Sequence, residues 1–274
     1  MSESVEQAAP RLTDASLKVE GAVATLTFER DDVRNAITGT ALVEDLLAVA
    51  EWVNVEKSIS VLVITGAGKG FSAGGNVKDM ANRGGDFAGD VEEVADRYRQ
   101  GIQRMPLAME KIEVPVIAAV NGAAIGAGFD LANMCDIRLA SERAKFGETF
   151  VNLGIIPGDG GAWFMQRLIG YQRAAELTFT GRVISAEEAL QYGVVLEVLP
   201  AEELLPRAQQ LAREIASKPP HAVRLSKRLM KMAQRQQLPD FLDVCAAFQG
   251  ICHNNPDHLK AVEAMLAAMG GSKS

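Results

Sequence analysis

The amino-acid sequence predicts an α/β protein that ends in a helical lobe, and three observations carry that expectation. Short β-type apolar runs alternate with stretches of helical period between residues 17 and 200. Small residues follow two of those runs directly, as Ala73-Gly74-Gly75-Asn76 and as Gly126-Ala127-Gly128-Phe129-Asp130. From Ala201 onward the pattern is helical, interrupted at Pro219-Pro220, Pro239 and Pro256.

In chain order, Leu17 to Glu20 and Val23 to Phe28 read as two strands turned at Gly21. Leu42, Leu46, Val49 and Val53 recur as on the buried stripe of a helix, and Ile59 to Thr65 follows as a buried strand. Strand, helix, strand is the parallel crossover unit, so a sheet covered by helices is expected. Residues 66–75 hold five glycines and read as a loop, because glycine weakens either regular element. The 82–90 segment, with Gly84, Gly85 and Gly89, reads as a mobile surface stretch. A single helix over 91–112, bent before Pro106, precedes a strand from Pro115 to Val120. Gly126 to Met134 reads as a short buried helix and Cys135 to Ala140 as a strand, with Asp136 and Arg138 a structural pair. Beyond Pro157 a glycine turn enters a helix carrying Trp163, Phe164 and Leu168. Ser185 with Glu188 caps another short helix, and Val194 to Leu199 is the last strand. The expected division is a disordered tail over 1–16, an α/β core over 17–200 and a helical lobe over 201–274.

Bulk properties exclude several functions. The chain of 274 residues carries 28 Lys and Arg against 35 Asp and Glu, a net charge of −7, which disfavours a nucleic-acid surface. Lys227, Arg228 and Lys231 form a local basic cluster that reads as a solvated helix face. Cys135, Cys245 and Cys252 are sparse and odd in number, as for reduced thiols in a cytoplasmic protein. The first sixteen residues lack the pattern of a signal peptide, and no run of eighteen apolar residues would span a membrane. Gly66 to Phe71 fits neither a dinucleotide loop nor a phosphate loop, and no Gly-x-Ser-x-Gly elbow occurs. His221, His253 and His258 all fall in the C-terminal helices, and no His, Cys and Asp grouping has metal-ligand spacing.

Carboxylates remain as candidate catalysts. Asp130 lies in an apolar segment where a charge is costly unless paired or used. Glu148 follows Phe146-Gly147, and Asp159 sits between glycines at a helix start. Each also has a structural reading, Asp159 as a helix cap above all. The two glycine-rich strand ends place main-chain amides where a ligand of an α/β sheet binds, and two amides converging on one oxygen would stabilise charge developing there. Close strand-to-helix packing accounts for the same glycines.

Several motifs together resemble the crotonase superfamily, the enoyl-CoA hydratase/isomerase family, over roughly residues 17 to 270. They are Arg34-Asn35-Ala36, Thr65-Gly66-Ala67-Gly68 leading to Phe71-Ser72-Ala73-Gly74-Gly75, and Pro115 to Gly122. Cys135-Asp136-Ile137-Arg138, Ala144 to Gly147, Leu153 to Pro157 and Thr180-Gly181-Arg182 complete the set. The resemblance implies a spiral core of repeated ββα units and a C-terminal lobe that serves oligomerisation and pocket closure, in a homotrimer or a dimer of trimers. It implies an acyl-CoA thioester substrate, with coenzyme A entering as part of that substrate and no separate cofactor or metal.

By the same resemblance the thioester oxygen is held by the amides of Gly75 and Ala127, with Gly74, Gly128 and Phe150 in the pocket. Arg34, Ala36, Lys69 and Phe71 are implied at the coenzyme, and residues 80–90 and 105–109 form the pocket wall. Hydratases of the family use two glutamates; Asp130 holds the first position and Phe150 the second. Isomerases of the family often rely on one acid just after the Leu-Gly-Ile stretch, and Asp159 lies one position beyond that point. The favoured reaction is therefore a Δ3 to Δ2 double-bond shift. Hydration of a 2-enoyl-CoA using Asp130 and Glu148 is the alternative, followed by thioester hydrolysis or dehalogenation and by acyl-CoA binding without catalysis.

Overall fold

The computed structural model describes residues 8–271. The strands in chain order are β1 (Ala15–Glu20), β2 (Val23–Phe28), β3 (Val61–Gly66), β4 (Gly70–Ser72), β5 (Val116–Val120), β6 (Ala123–Ile125), β7 (Ile137–Ser141), β8 (Lys145–Gly147), β9 (Val183–Ser185) and β10 (Glu197–Leu199). One sheet has the order β1-β2-β3-β5-β7-β10 and a smaller one β4-β6-β8-β9. Successive strand pairs β3/β4, β5/β6 and β7/β8 each place their first member in the large sheet and their second in the small one. The backbone thus winds between two sheets, with parallel pairing of β2 to β3, β3 to β5 and β5 to β7. Gly66, which ends β3, and Gly70–Ser72 depart from the expected loop over 66–75. The three residues of β4 gain a ladder with β6 that local glycine content does not foretell.

Helix α1 (Leu42–Val55) covers one face of the large sheet. Leu42, Leu46, Val49 and Val53 pack there with Leu62, Ile64, Ala118 and Val120. Full burial of side chains of this size contributes about 1.5–3 kcal/mol each. The intervening positions Val61, Val63, Ile117, Ala119 and Leu139 face the other side, where Leu204, Ala208 and Ala212 cover them. A sheet buried on both faces needs apolar residues at every position, which is why these strands read as unbroken apolar runs.

The next helices are α2 (Val77–Ala81), α3 (Val91–Gln100), α4 (Arg104–Lys111) and α5 (Ala127–Met134). The expected single helix over 91–112 is two, broken at Gly101 rather than at Pro106, which sits in the first turn of α4 where a missing amide costs little. Residues 82–90, expected to be mobile, contain a 3-10 turn at Gly85–Phe87. Then come α6 (Gly161–Ile169), α7 (Tyr171–Thr180), α8 (Ala186–Tyr192) and α9 (Ala201–Ala216). The side chain of Ser185 caps α8 as expected, accepting from the Glu188 amide at 3.2 Å.

Because α9 supplies Leu204, Ala208 and Ala212 to the sheet, the core continues through it and the expected boundary at residue 200 moves past residue 216. The lobe proper comprises α10 (Pro220–Ala233), α11 (Leu238–His253) and α12 (Pro256–Gly271). Two lysines of the basic cluster, expected as a solvated face, dock it on the core, while Arg228 is exposed. Lys227 Nζ, 8% exposed, donates to the Val114 carbonyl at 2.8 Å and pairs with Asp136 at 2.7 Å. Lys231 Nζ donates to the Glu110 carbonyl at 2.6 Å. Asp136 therefore pairs with Lys227 and not with Arg138, whose guanidinium donates to the Val194 and Cys135 carbonyls, each at 2.6 Å. The expected tail over 1–16 also needs correction. The Thr13 and Asp14 amides donate to the Asp45 carboxylate at 2.9 and 2.7 Å, and Leu12 packs on the core, while residues 1–7 lie outside the described residues. Among the described residues no helix is long and apolar enough to cross a membrane.

Candidate active site

Two main-chain turns meet at the carboxyl ends of β4 and β6. Buried Asn35, in a left-handed conformation, builds the first. Its side-chain Nδ2 donates to the carbonyls of Ala67 and Gly70 at 3.1 and 2.9 Å, and its side-chain oxygen accepts from the Arg30 amide at 2.9 Å. That clasp holds Arg34 to Ile37 alongside residues 72–74. The Ile37 amide donates to the Gly74 carbonyl at 2.7 Å, and the Ala73 amide to the Arg34 carbonyl at 2.9 Å. Gly74 is left-handed with φ 73°. A Cβ there would run into the Ile125 carbonyl and come within 2.9 Å of the Ala127 nitrogen.

The second turn is Gly126, whose φ of 53° and ψ of −125° suit glycine alone and start α5. The amides of Phe129 and Asp130 both donate to the Gly126 carbonyl, at 2.8 and 3.0 Å. The amides of Gly75 and Ala127 donate to no acceptor among the described residues, and both residues line one cavity. A pair of unspent N–H groups, one of them at a helix N-terminus, is a site for a negatively polarised oxygen.

Three buried carboxylates cluster beside that cavity. Asp130 and Glu148 are wholly buried and Asp159 is 2% exposed, yet among the described residues no donor outside the three reaches any of their six oxygens. The helix-cap readings of these groups therefore fail. The cap of α6 is Gly160 without a side-chain bond, and Glu148 precedes the 3-10 turn Thr149–Leu153 without capping it. Instead the carboxyls face one another, with Asp130 in the middle. Its carboxyl lies over Gly161, where any Cβ would fall onto it.

Burial raises all three affinities for protons. Asp130 is raised well above the ordinary range, first by burial and then by the charges of Asp159 and Glu148. Burial also lifts Glu148, to about 7, against the opposing effect of a hydrogen bond with Asp130. Asp159 is raised by burial and lowered by its own bond with Asp130. Asp130 thus keeps its proton and its two neighbours compete for it, which separates one neutral acid from ionisable partners.

Of the three, Asp159 alone lines the cavity that holds Gly75 and Ala127. Phe150 lines it too, with its ring 3.6 Å from the position a Cβ would take on Gly126. Gly74 and Gly128, expected in the pocket, lie behind it, where their lack of a side chain lets the Gly74 and Ser72 backbone approach α5. The expected wall is half correct. Met80, Asp86 and Phe87 line the cavity, whereas Met105 and Met109 are core residues. Thr38, Tyr98, Ile102 and Ile155 also contribute, and no glycine or strand-end signal pointed to them.

The family model for enoyl-CoA hydratase/isomerase matches residues 18–266. The chain belongs to that family. A crotonyl-CoA hydratase of Syntrophomonas wolfei is 38% identical over 251 residues, covering 91% of this chain and 94% of that protein. A 1,2-epoxyphenylacetyl-CoA isomerase of Escherichia coli is 34% identical over 249 residues, covering 91% and 94%. A crystal structure of an enoyl-CoA hydratase from Bacillus anthracis superposes with a TM-score of 0.86 at 34% identity, covering 93% of this chain and 97% of that one.

The fold is that of the crotonase superfamily, and the chain is an enzyme of enoyl-CoA hydratase or isomerase type. The positions that family resemblance implies for the coenzyme separate into two groups. Arg34 and Lys69 are exposed. Phe71 is wholly buried with its ring 6.1 Å from that of Phe28, and Ala36 is buried and bridged to Gly74. The buried side chains of Ala36 and Phe71 support the loop from beneath, so contact with a ligand at these two positions would fall to the main chain.

Proposed function

We propose that this enzyme binds an acyl-CoA thioester and moves a double bond from Δ3 to Δ2 through an enolate held by the Gly75 and Ala127 amides. The observation that carries the reading is that Asp159 is the one carboxylate of the buried three on the cavity wall with both amides, beside Phe150. In the first step the Asp159 carboxylate takes the α-proton. The C–H electron pair becomes the enolate π bond, and negative charge moves to the thioester oxygen between the two N–H groups. In the second step the dienolate collapses and the γ-carbon takes the proton back from Asp159. One base suffices, and the proton does not leave the site.

Asp130, retaining its own proton, donates to the Asp159 carboxylate and helps keep that base ionised against burial. The Phe150 ring fills the place where a second acid would activate water.

Hydration of a 2-enoyl-CoA is the second reading, favoured by the hydratase relatives. It requires Asp130 and Glu148 to reach a water that the cavity wall now separates from them. The two reactions are separated by measuring turnover of a 3-enoyl-CoA and a 2-enoyl-CoA with wild type and Asp159→Asn. Isomerisation should fall by about 10²–10⁴-fold, the range for loss of a positioned base. Efficient hydration that ignores the substitution rules the isomerase reading out.

Self-assembly through the lobe is part of this proposal. Helix α11 buries no residue and exposes Leu238 and Leu242, and α12 exposes Leu259, Met265 and Leu266. A trimer or dimer of trimers would cover that surface.

A further inference from the structure

Beyond the catalytic pair of walls, the same cavity has a third, polar side. It is built from one stretch of chain. The Arg97 guanidinium donates to the Gly85 carbonyl at 2.7 Å, and the rings of Phe87 and Tyr98 meet edge to face at 6.4 Å. Asp86, Arg97 and Tyr98 all line the cavity. The hydroxyl of Tyr98 and the carboxylate of Asp86 form no hydrogen bond or ion pair with a described residue. Around them the lining is apolar, from Met80, Phe87, Ile102, Phe150 and Ile155.

Tyr98 is held close to the catalytic turn. Its Cε1 lies 2.8 Å from the place of a Cβ on Gly158, so only glycine there lets the ring sit against the residue preceding Asp159. Gln103 fixes that turn by donating to the Gly158 carbonyl at 2.7 Å. Burial and the charges of Asp159 and Asp86 hold the Tyr98 proton more tightly than usual, so the hydroxyl is a hydrogen-bond donor throughout the neutral range.

A site for a plain hydrocarbon chain gains nothing from a rigidly placed phenol, whereas a site that reads a substrate oxygen needs one. We propose that Tyr98 is a specificity-determining residue that donates to a neutral oxygen, a hydroxyl, ether or carbonyl, carried on the acyl group beyond the reacting carbons. A second carboxylate is disfavoured as the group read, because Asp86 offsets Arg97 and Asp159 adds a further negative charge. The proposal rests on the acyl-CoA reading above but not on which reaction the enzyme performs.

The test is equilibrium binding by calorimetry, using saturated ω-hydroxyacyl-CoAs of increasing length and their deoxy counterparts. Saturated ligands carry no double bond, so the result is independent of isomerisation or hydration. Wild type should bind the hydroxylated ligand of one length roughly three- to tenfold more tightly than its deoxy partner, the range for one neutral hydrogen bond. In Tyr98→Phe, which keeps the ring contacts with Phe87 and Gly158, the ratio should fall to about one. Gly158→Ala, which pushes the ring away, should lower it as well. Binding of both series without preference at any length, or a preference that survives in Tyr98→Phe, overturns the proposal alone. Absence of binding by either series overturns it together with the acyl-CoA reading.

Discussion

The two walls of the active site are unsatisfied in opposite senses. On one, the Gly75 and Ala127 amides are donors without acceptors; on the other, Asp130, Glu148 and Asp159 are acceptors with no donor outside their own cluster among the described residues. The amide wall costs the fold little before substrate arrives, because it borders an open cavity. The carboxylate wall is closed, and there the penalty is met by keeping protons on groups that would be ionised in water. The contrast shows a division of labour: a rigid main-chain receptor for developing charge faces a side-chain cluster whose protonation can change.

Apart from removal of the Asp159 base itself, the largest effect is expected on the amide wall. Gly74→Ala places a methyl against the Ile125 carbonyl and 2.9 Å from the Ala127 nitrogen, so the second turn must retreat. Losing one donor to a developing oxyanion lowers kcat by about 10²–10³-fold. Gly154→Ala is the control. Gly154 has nearly the same φ, 70° against 73°, but nothing within 4 Å of the added atom, and it bears only the backbone strain. Steady-state kinetics and thermal unfolding of both variants separate the contributions. Equal losses of kcat in the two would show that strain, not displacement of an amide, is responsible.

This asymmetry also explains what the sequence disclosed. Glycines leave a visible mark because a backbone that must pass within van der Waals range of another backbone tolerates few other residues, so Gly74-Gly75 and Gly126 stood out. The paired strand and helix periods were equally legible, since β3 and α1 bury every position that their periods mark. Tyr98, Ile102 and Ile155 were not. Each is an ordinary residue on a helix or loop until packing turns it toward the cavity, and Gly158 beside Tyr98 reads as part of a turn. Asp130, Glu148 and Asp159 could be listed as candidates, but their meeting depends on three separated elements converging. Local spacing does not encode that convergence. Helix α9 was misassigned for the converse reason: its stripe fits a lobe or a sheet equally well, and contact with Val61, Val63 and Ile117 decides.

An intermediate effect is expected on the carboxylate wall, as a dependence of stability on pH. The folded-state pKa of Glu148 is raised, from 4.5 to about 7, so its contribution is fully present below 4.5 and is lost as pH rises through about 7. A rise of that size corresponds to on the order of 3 kcal/mol. Glu148→Gln cannot ionise, and its unfolding free energy should gain on that of wild type by about that amount between pH 4.5 and pH values above 7. Urea unfolding at both ends of the window measures the difference. Parallel pH profiles for the two proteins would mean that Glu148 is not held in the folded state as a proton-retaining acid.

The smallest effect tests whether the apolar face between the walls chooses the reaction. Phe150→Glu replaces a ring over Gly126 with a carboxyl in the cavity that Asp159 already lines. The new group can activate water and admits it by vacating volume. It also adds a fourth acid to the three, so like-charge repulsion should keep it partly protonated and shift the optimum for activity upward in pH. The ratio of hydration to isomerisation, measured with matched 2-enoyl and 3-enoyl thioesters, should rise about tenfold, below the 10²–10⁴-fold a well-positioned acid or base supplies. The deficit reflects a carboxyl placed without a supporting hydrogen bond. If the ratio stays constant while both activities fall together, Phe150 only fills space, and the choice of reaction must lie with the carboxylates themselves.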